Sequence, residues 1–475
     1  METECTQLAE GFQGLGRRAV VAQFDGGTIT SDGGGLLLRE VEQRTRIVER
    51  FAACFTDYRR PEYIEHTVGE LVAQRVYGLA LGYEDLNDHD QLRRDPVLAV
   101  LAEKRDPLGT TRRRAADRGA ALAGKSTLNR LELTRPETAA EARYQKIALE
   151  PAAVDQMLVE VFLEAHAVAP EWIILDVDAT DDPVHGMQEG RFFHGYYGHY
   201  CYLPLYIFCG EHLLLARLRP ANRDAAAGTV EEVERIVAQI RARWPAVKIV
   251  LRGDSGFCRE RLLAWCEAQA EVFYVVGLAR NARLERELEP ALAQAHQQCE
   301  ATQSAARRFH EFPYQTRESW SRARRVIGKA EVLPGGPNPR FIVTNLPAAS
   351  HPGQLLYELG YCARGDMENR IKEQQLALFA DRTSTATLRA NQVRLYCASV
   401  AYLVVHALRR LGLAGSALAR AQCGTIRTKL LKIGAQIRVT VRKVWVALSS
   451  AYPYQAVFAH VLARLHALPV VGRAP

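Results

Sequence analysis

Apolar positions recur at helical spacing through residues 36–105, as in ELVAQRVYGLALGY, and again from Pro136 to Val168. Ahead of them, VVAQFDGGTITSDGGGLLLRE (20–40) reads as a short strand, a Gly-rich turn and the start of a helix. Gly33, Gly34 and Gly35 are followed by no Lys-Ser/Thr and lack the G-x-G-x-x-G spacing, so they predict a turn rather than a phosphate loop. KRDPLGTTRRRAADR (104–118) is interrupted by Pro and Gly and dense in cations, which predicts a mobile or DNA-contacting loop. KSTLNRLEL, from Lys125, predicts an amphipathic helix with Ser126 as its N-cap.

From Trp172 the period shortens to that of strands. Trp172 to Leu175 is an apolar run, and Tyr202–Phe208 and His212–Leu218 flank Cys209-Gly210-Glu211 as a hairpin would. Thr229–Trp244 places Val230, Val233, Val237 and Ile240 on one helical face. Val247–Leu251 predicts a strand, Arg259–Ala268 a helix, and Val272–Leu278 another strand. A strand, a two-stranded hairpin, then helix, strand, helix and strand is the order of an RNase H-like α/β domain, a mixed sheet with helices on its faces. After a helix (Ala282–Cys299), RRVIGKAEVL and PRFIVTNL alternate like strands around Pro334-Gly335-Gly336-Pro337. Helical spacing returns at Gly353 and runs to Leu411. The expected organisation is a mainly helical N-terminal region (1–165), an RNase H-like core (166–280), an inserted β-rich subdomain (281–349), the final helices of the core (350–412) and a basic C-terminal region (413–475).

Composition changes the picture at one end only. Hydrophobic residues make up 48% and charged residues 24%, as in an ordinary globular protein. The net charge of +7 is unevenly spread: from Arg382 to Pro475 there are 14 Lys or Arg and no Asp or Glu. An acid-free tail with regular cations suits a polyanion such as nucleic acid, although solvated basic helix faces would give the same pattern. The N-terminal region, with its basic loop and the helix from Lys125, is expected to bind DNA as well. The 10 Cys are scattered without a C-x-x-C pair, against a zinc site or a disulfide framework. The start METECTQLAE has no signal-peptide character, and the apolar run near Ala398–Leu408 is too short to span a bilayer. A soluble, cytoplasmic protein without a membrane partner is expected.

The candidate chemistry lies where the apolar strands end. WIILDVDATDDPVH presents Asp176, Asp178, Asp181 and Asp182, and Asp176 and Asp178, two apart, leave the same face of a strand. Like charges held that close call for a cation or a shared proton. A second run, Val247–Leu251, ends in Arg252-Gly253-Asp254-Ser255-Gly256. On YCARGDMENRIKEQQ, Tyr361, Arg364, Glu368, Lys372 and Gln375 fall at offsets 0, 3, 7, 11 and 14, one face of a helix. Three carboxylates on such a sheet suit two Mg²⁺ ions, with Mn²⁺ as a substitute, in the arrangement used for phosphoryl transfer. His185, His194 and His199 surround the first acids, where polar contacts to phosphate fit better than metal ligation. Asp178 follows its apolar run by three residues, as Asp254 does, so Asp178 is expected level with Asp254 and Asp176 deeper, either as an acid supporting the ligands from behind or as a buried partner for Arg252.

LDVDATDDPVHG, LRGDSGF and YCARGDMENRIKE resemble the three acidic motifs of the insertion-sequence DDE transposases, in particular the group 1 branch. FDGGTITSDGGGLLLRE, LALGYEDLNDHDQLRRDP, KSTLNRLE, NPRFIVTNL and TIRTKLLKIGA resemble the same branch, so the similarity covers nearly the whole chain. The resemblance implies Asp178, Asp254 and Glu368 as the catalytic, metal-binding triad, with Asp176, Thr180, Tyr361, Arg364 and Lys372 in support. In the last motif Gln375 stands where related transposases carry Lys, and Lys372, one turn earlier, is the candidate replacement.

Related transposases place a stacking Trp in the β insertion, a role Trp320 would take unless it is a core residue. Arg427, Lys429, Lys432, Arg438, Arg442 and Lys443 are the candidate phosphate contacts of the tail. The implied activity is binding of transposon ends, cleavage of phosphodiesters and joining of 3′-hydroxyls to target double-stranded DNA, by a homodimer in a synaptic complex. The implied setting is the bacterial cytoplasm, at the nucleoid. Rival readings are a metal-dependent nuclease without strand transfer and a DNA-binding protein with a decayed site. A two-carboxylate glycosidase would leave the acid-free tail unexplained.

Overall fold

The computed structural model describes residues 10–333 and 335–470; Pro334 of the expected Pro-Gly-Gly-Pro turn lies outside the described residues. Two compact units divide the chain, one of residues 1–53, 57–131 and 404–475 and one of residues 54–56 and 132–403.

The second unit is built on a single mixed sheet. Its main strands are β1 (Trp172–Ala179), β2 (Leu205–Cys209), β3 (His212–Arg217), β4 (Lys248–Gly253), β5 (Val272–Leu278), β6 (Ala306–Tyr314), β7 (Arg324–Leu333) and β8 (Arg340–Thr344), in the order β3-β2-β1-β4-β5-β8-β7-β6, and the short strand Gly336–Pro337 pairs with the end of β7. β4 runs parallel to both β1 and β5, and every other neighbouring pair is antiparallel. The strands of the 281–349 segment join the free edge of β5 through β8, so the insertion enlarges the central sheet.

Alternation along the strands sorts side chains to two faces. Ile173, Leu175 and Val177 of β1, with Ile249 and Leu251 of β4, enter one core together with α1 (Thr229–Arg243) and α2 (Glu260–Ala268). On the opposite face Ile174, Val250 and Val275 pack with Leu356 and Tyr357, from the helical run that leads into the last acidic motif. Asp176 and Asp178 share that face with Ile174, and so does Arg252 with Val250. Strand period therefore turns the acids toward the segment that carries Glu368.

Three departures from the sequence pattern have physical causes. β1 continues four residues past Leu175, because Asp176 to Ala179 keep a ladder with β2 and Asp176 and Val177 one with β4. The run expected as one strand over Tyr202–Phe208 breaks at Leu203-Pro204, where Pro204 has no N–H for a ladder. Its first part, His199–Tyr202, joins a small sheet with Asp182–Pro183 and Phe192–His194. β6 was not legible as a strand, since RRFHEFPY is cationic and carries Pro313; it lies at the sheet edge, where such residues are tolerated.

In the first unit, helices Leu36–Thr45, Ile47–Ala53, Val68–Leu81 and Gln455–His466 are joined by a sheet that pairs Thr28–Thr30 with Ala435–Val439 and the latter with Val444–Leu448. The two ends of the chain thus contribute to one unit. Gly34 is needed for closeness: a Cβ there would stand 2.0 Å from the Leu430 carbonyl oxygen. The triple glycine is a buried packing turn. Among the described residues no helix is long and apolar enough to cross a membrane.

Candidate active site

The four acids after the first apolar run meet four different environments. Asp176 is buried in a two-armed pair with Arg252, whose Nη2 donates to Oδ2 at 2.8 Å, and the same guanidinium donates to the Gly360 carbonyl. Asp178 lines an open cleft. Asp181 lies 2.7 Å from Nε2 of His199. Asp182 is fully buried and accepts from Nε2 of Gln375 at 2.9 Å.

Burial pushes the Asp182 carboxyl from 3.8 up to about 8. The native state then holds a proton that the unfolded chain releases above its ordinary value, so this group's contribution to stability declines as pH rises from about 4 to about 8. Asp182→Asn should flatten that decline, read as the urea midpoint against pH. Parallel curves for the two proteins would show that Asp182 ionises freely in the fold.

The cleft has a volume of about 490 Å³ and gathers Asp178, Thr180, Asp254, Arg364, Glu368, Lys372 and Gln375. β1 and β4 are last paired at Val177 and Gly253, so Asp178 and Asp254 are the next residues on adjacent parallel strands. Asp254 caps the turn Ser255–Phe257 by accepting from the Gly256 N–H at 2.8 Å. Glu368 comes from α3 (Gly365–Lys372), which is entered through a π-helical turn (Leu356–Tyr361) and a tight turn (Cys362–Arg364) and followed by a second π-helical turn (Glu373–Ala377). Arg364, Glu368, Lys372 and Gln375 still line the cleft together despite these changes of pitch. Tyr361 sits beside β5, where Gly277 leaves the room: a Cβ there would lie 2.6 Å from the phenol oxygen. The other acids of the motif lie elsewhere. Glu373 is buried in a pair with Arg370, and Asp366 is exposed.

Arg364 bridges two of the acids, at 3.3 Å from Asp178 and 2.9 Å from Glu368. Burial raises the Asp178 carboxyl to about 6; Arg364 opposes this, while Asp254 and Glu368 add to it. Three carboxylates facing one cleft, one of them disfavoured as an anion, form an oxygen donor set that fits a hard divalent cation. Among the described residues no three His, Cys, Asp or Glu stand close enough together to enclose an ion as they are placed, and the Arg364 guanidinium supplies the positive charge between Asp178 and Glu368.

The family model described as "Transposase DDE domain group 1" matches residues 12–470, nearly the whole chain. The chain belongs to this transposase family. No curated protein matches it. The mixed α/β architecture is that of an RNase H-like DDE transposase.

Several of the transposase's expected DNA contacts are engaged internally. Trp320 is only 6% exposed, stands edge-on to Tyr314 and is covered by Arg324 at 5.1 Å. It belongs to the core, and its expected stacking role is corrected accordingly: the ring has no free face for a base. Arg427 is corrected likewise, since it donates to the carbonyls of Leu79 and Ala80 at 3.0 and 2.9 Å and so closes the end of the helix Val68–Leu81. Lys432 pairs with Asp32 at 2.6 Å, and its ammonium lies 4.1 Å from the centre of the Tyr83 ring. Lys429 lies 5.5 Å from the ring of Tyr454. Arg442 and Lys443, by contrast, lie exposed at the tip of the hairpin Ala435–Leu448, beside Arg438 and Trp445.

One cluster escaped the site assignment. In the first unit a cavity of about 490 Å³ is lined by Arg59, Arg93, Arg112, Arg113, Arg114 and Arg130, against Glu65, Asp90 and Asp117. Its signal was the basic loop 104–118 and the helix from Lys125. That helix starts at Lys125, whose N–H is taken by Asp90 at 3.0 Å, so Ser126 lies inside it rather than capping it.

Proposed function

We propose that this transposase binds the double-stranded ends of its element, cuts phosphodiester bonds there and joins the resulting 3′-hydroxyls to target DNA, as a homodimer holding two ends. The observation that carries the reading is the convergence of Asp178, Asp254 and Glu368 on one open cleft together with Arg364 and Lys372. These three acids would hold a divalent metal, Mg²⁺ in our reading, and a bound pair of ions would supply the Lewis acidity that activates the attacking oxygen and stabilises the leaving one.

The chain's own groups do the positioning. Arg364 would neutralise the phosphate under attack, and its pairing with Asp178 and Glu368 leaves it little freedom to wander. Lys372 lies one turn beyond Glu368 and adds a second cation to the same wall. Gln375, in the place where Lys is usual, hydrogen-bonds Asp182 and the Asp181 carbonyl, and so anchors the helix to the loop after β1. Asp176 and Arg252 brace the sheet beneath the cleft.

Incubating the protein with its flanking end DNA, a target plasmid and Mg²⁺ tests the reading. Joined products support transposition; nicked ends without joining would leave a metal-dependent nuclease.

Phosphate contacts give a separate test. Arg442→Ala, Lys443→Ala and Arg114→Ala, all at exposed positions, should each weaken end binding and lower the slope of log affinity against log salt by about one. Arg427→Ala should leave the slope unchanged and lower the melting temperature instead. A slope that drops for Arg427→Ala but not for the exposed residues would reverse this assignment.

A further inference from the structure

The first unit holds a second cavity, of about 370 Å³, lined by residues of the helices Leu36–Thr45, Ile47–Ala53, Val68–Leu81 and Pro96–Leu101 and by Ala102 and Glu103. Four carboxylates line it, Glu42, Glu49, Glu70 and Glu103, against one cation, Arg46. Val48, Ala73, Leu101 and Ala102 supply apolar wall between them.

The turn between the first two helices sets the Glu42 carboxylate. Arg46 is left-handed there, at φ +53°, and the N–H groups of Val48 and Glu49 both donate to Glu42, each at 2.9 Å. The other three acids each meet a cation: Glu49 pairs with Arg46, Glu70 with Lys104 at 2.7 Å and Glu103 with Arg39 at 3.5 Å. Among the described residues Glu42 meets none. Burial pushes its carboxyl up to about 7, Glu49 and Glu103 add to this, and only the two backbone N–H groups oppose it. Tyr77 is the second unsatisfied group. It is 1% exposed, lines the cavity, and its hydroxyl makes no hydrogen bond among the described residues. A buried hydroxyl is normally paired, so a partner is missing from this wall.

Both groups ask for a cationic donor. An ammonium carries three N–H donors and no acceptor, so one head can serve the Glu42 carboxylate and the Tyr77 oxygen together. A bare metal ion fits less well, since among the described residues no three His, Cys, Asp or Glu stand close enough to enclose one. Acids set apart around an apolar wall suit charges separated by a hydrocarbon stem. Glu70 engages only its Oε2, with the Thr67 N–H and Lys104, which leaves Oε1 for a second head. The volume is that of a small-molecule pocket.

We infer that this cavity is a binding site for a linear aliphatic diamine or polyamine, with one ammonium held by Glu42 and Tyr77 and the stem laid along Val48, Ala73 and Leu101. The site uses none of the residues that carry the cleavage reading.

The test uses the full chain without DNA. Putrescine and spermidine are the probes; butylamine, the neutral diol of the same chain length as putrescine, and magnesium chloride at matched ionic strength are the controls. Calorimetry should show one saturable site per chain for either probe, and both should raise the melting temperature where the diol and the magnesium salt do not. Tyr77→Phe should weaken putrescine binding by about three- to ten-fold, the loss of one hydrogen bond, and Glu42→Gln by at least about ten-fold, the loss of a charge-assisted one. Should Glu42→Gln fail to fold, because the next helix leans on that carboxylate, Tyr77→Phe decides. Unchanged affinity in Tyr77→Phe, or an equal melting shift from the diol or the magnesium salt, overturns the inference. Butylamine should bind more weakly than putrescine; equal affinity would remove the second head and the diamine with it.

Discussion

Asp178→Asn, Asp254→Asn and Glu368→Gln should each abolish cleavage of end DNA, by at least about 10³-fold, while end binding stays within a few-fold of wild type. In the proposed mechanism charge at the three positions would serve the reacting phosphate and any ion that holds it, whereas affinity would come from phosphate contacts elsewhere. A stability measurement separates this from simple misfolding. The fold disfavours the Asp178 anion, raising its carboxyl to about 6 by burial against the two other acids. Asparagine removes that penalty, so Asp178→Asn should melt no lower than wild type at pH 7.5 although it no longer cuts. Arg364 keeps Glu368 as a partner in that variant. Cleavage near the wild-type rate by any one of the three would take that residue out of the site.

Arg252→Ala is the structural counterpart, and its effect should be nearly as large on a different readout. Asp176 and Arg252 have side chains only 4% and 7% exposed. Removing one partner leaves the other charge buried alone, which costs about 3–5 kcal/mol. Arg252 also donates to the Gly360 carbonyl, one residue before Tyr361, so its loss frees the segment that presents Arg364 and Glu368. The urea midpoint should therefore fall sharply, and cleavage should fall with it. Asp176→Asn alone should be destabilised yet still cut, because Asp178, Asp254 and Glu368 stay in the cleft. The double variant Asp176→Asn/Arg252→Met should recover much of the lost stability, since a neutral pair of similar shape has no charge left to satisfy. A double variant no more stable than the worse single one would show that the two residues act independently.

The acid-free tail illustrates how far composition can be read. Its excess of cations marks an unusual segment, but the same count includes Arg427, spent on helix-end carbonyls, and Lys432, spent on Asp32. Charge along a sequence carries no record of which partner lies across a fold. The six-arginine cavity of the first unit makes the same point from the other side, since its members come from positions as far apart as Arg59 and Arg130.

By itself the sequence determined the mixed sheet, the helical run after Gly353 and the membership of this chain in its family, because period-two and period-3.6 patterns are local and survive in any window of a few residues. It also singled out the acids that line the cleft, since an apolar strand ending in carboxylates is visible without its neighbours. Only the tertiary structure decided which carboxylate does what. Asp176, Asp178, Asp181 and Asp182 look alike on the page, yet one meets a guanidinium, one an open cleft, one a histidine and one, fully buried, a glutamine amide. The same holds for the aromatics: Trp320 is buried beneath Arg324 while Tyr196 stands in solvent beside the cleft of Asp178, Asp254 and Glu368. Desolvation and pairing depend on what the rest of the chain brings within a few ångströms, and the pattern of a single strand does not contain that.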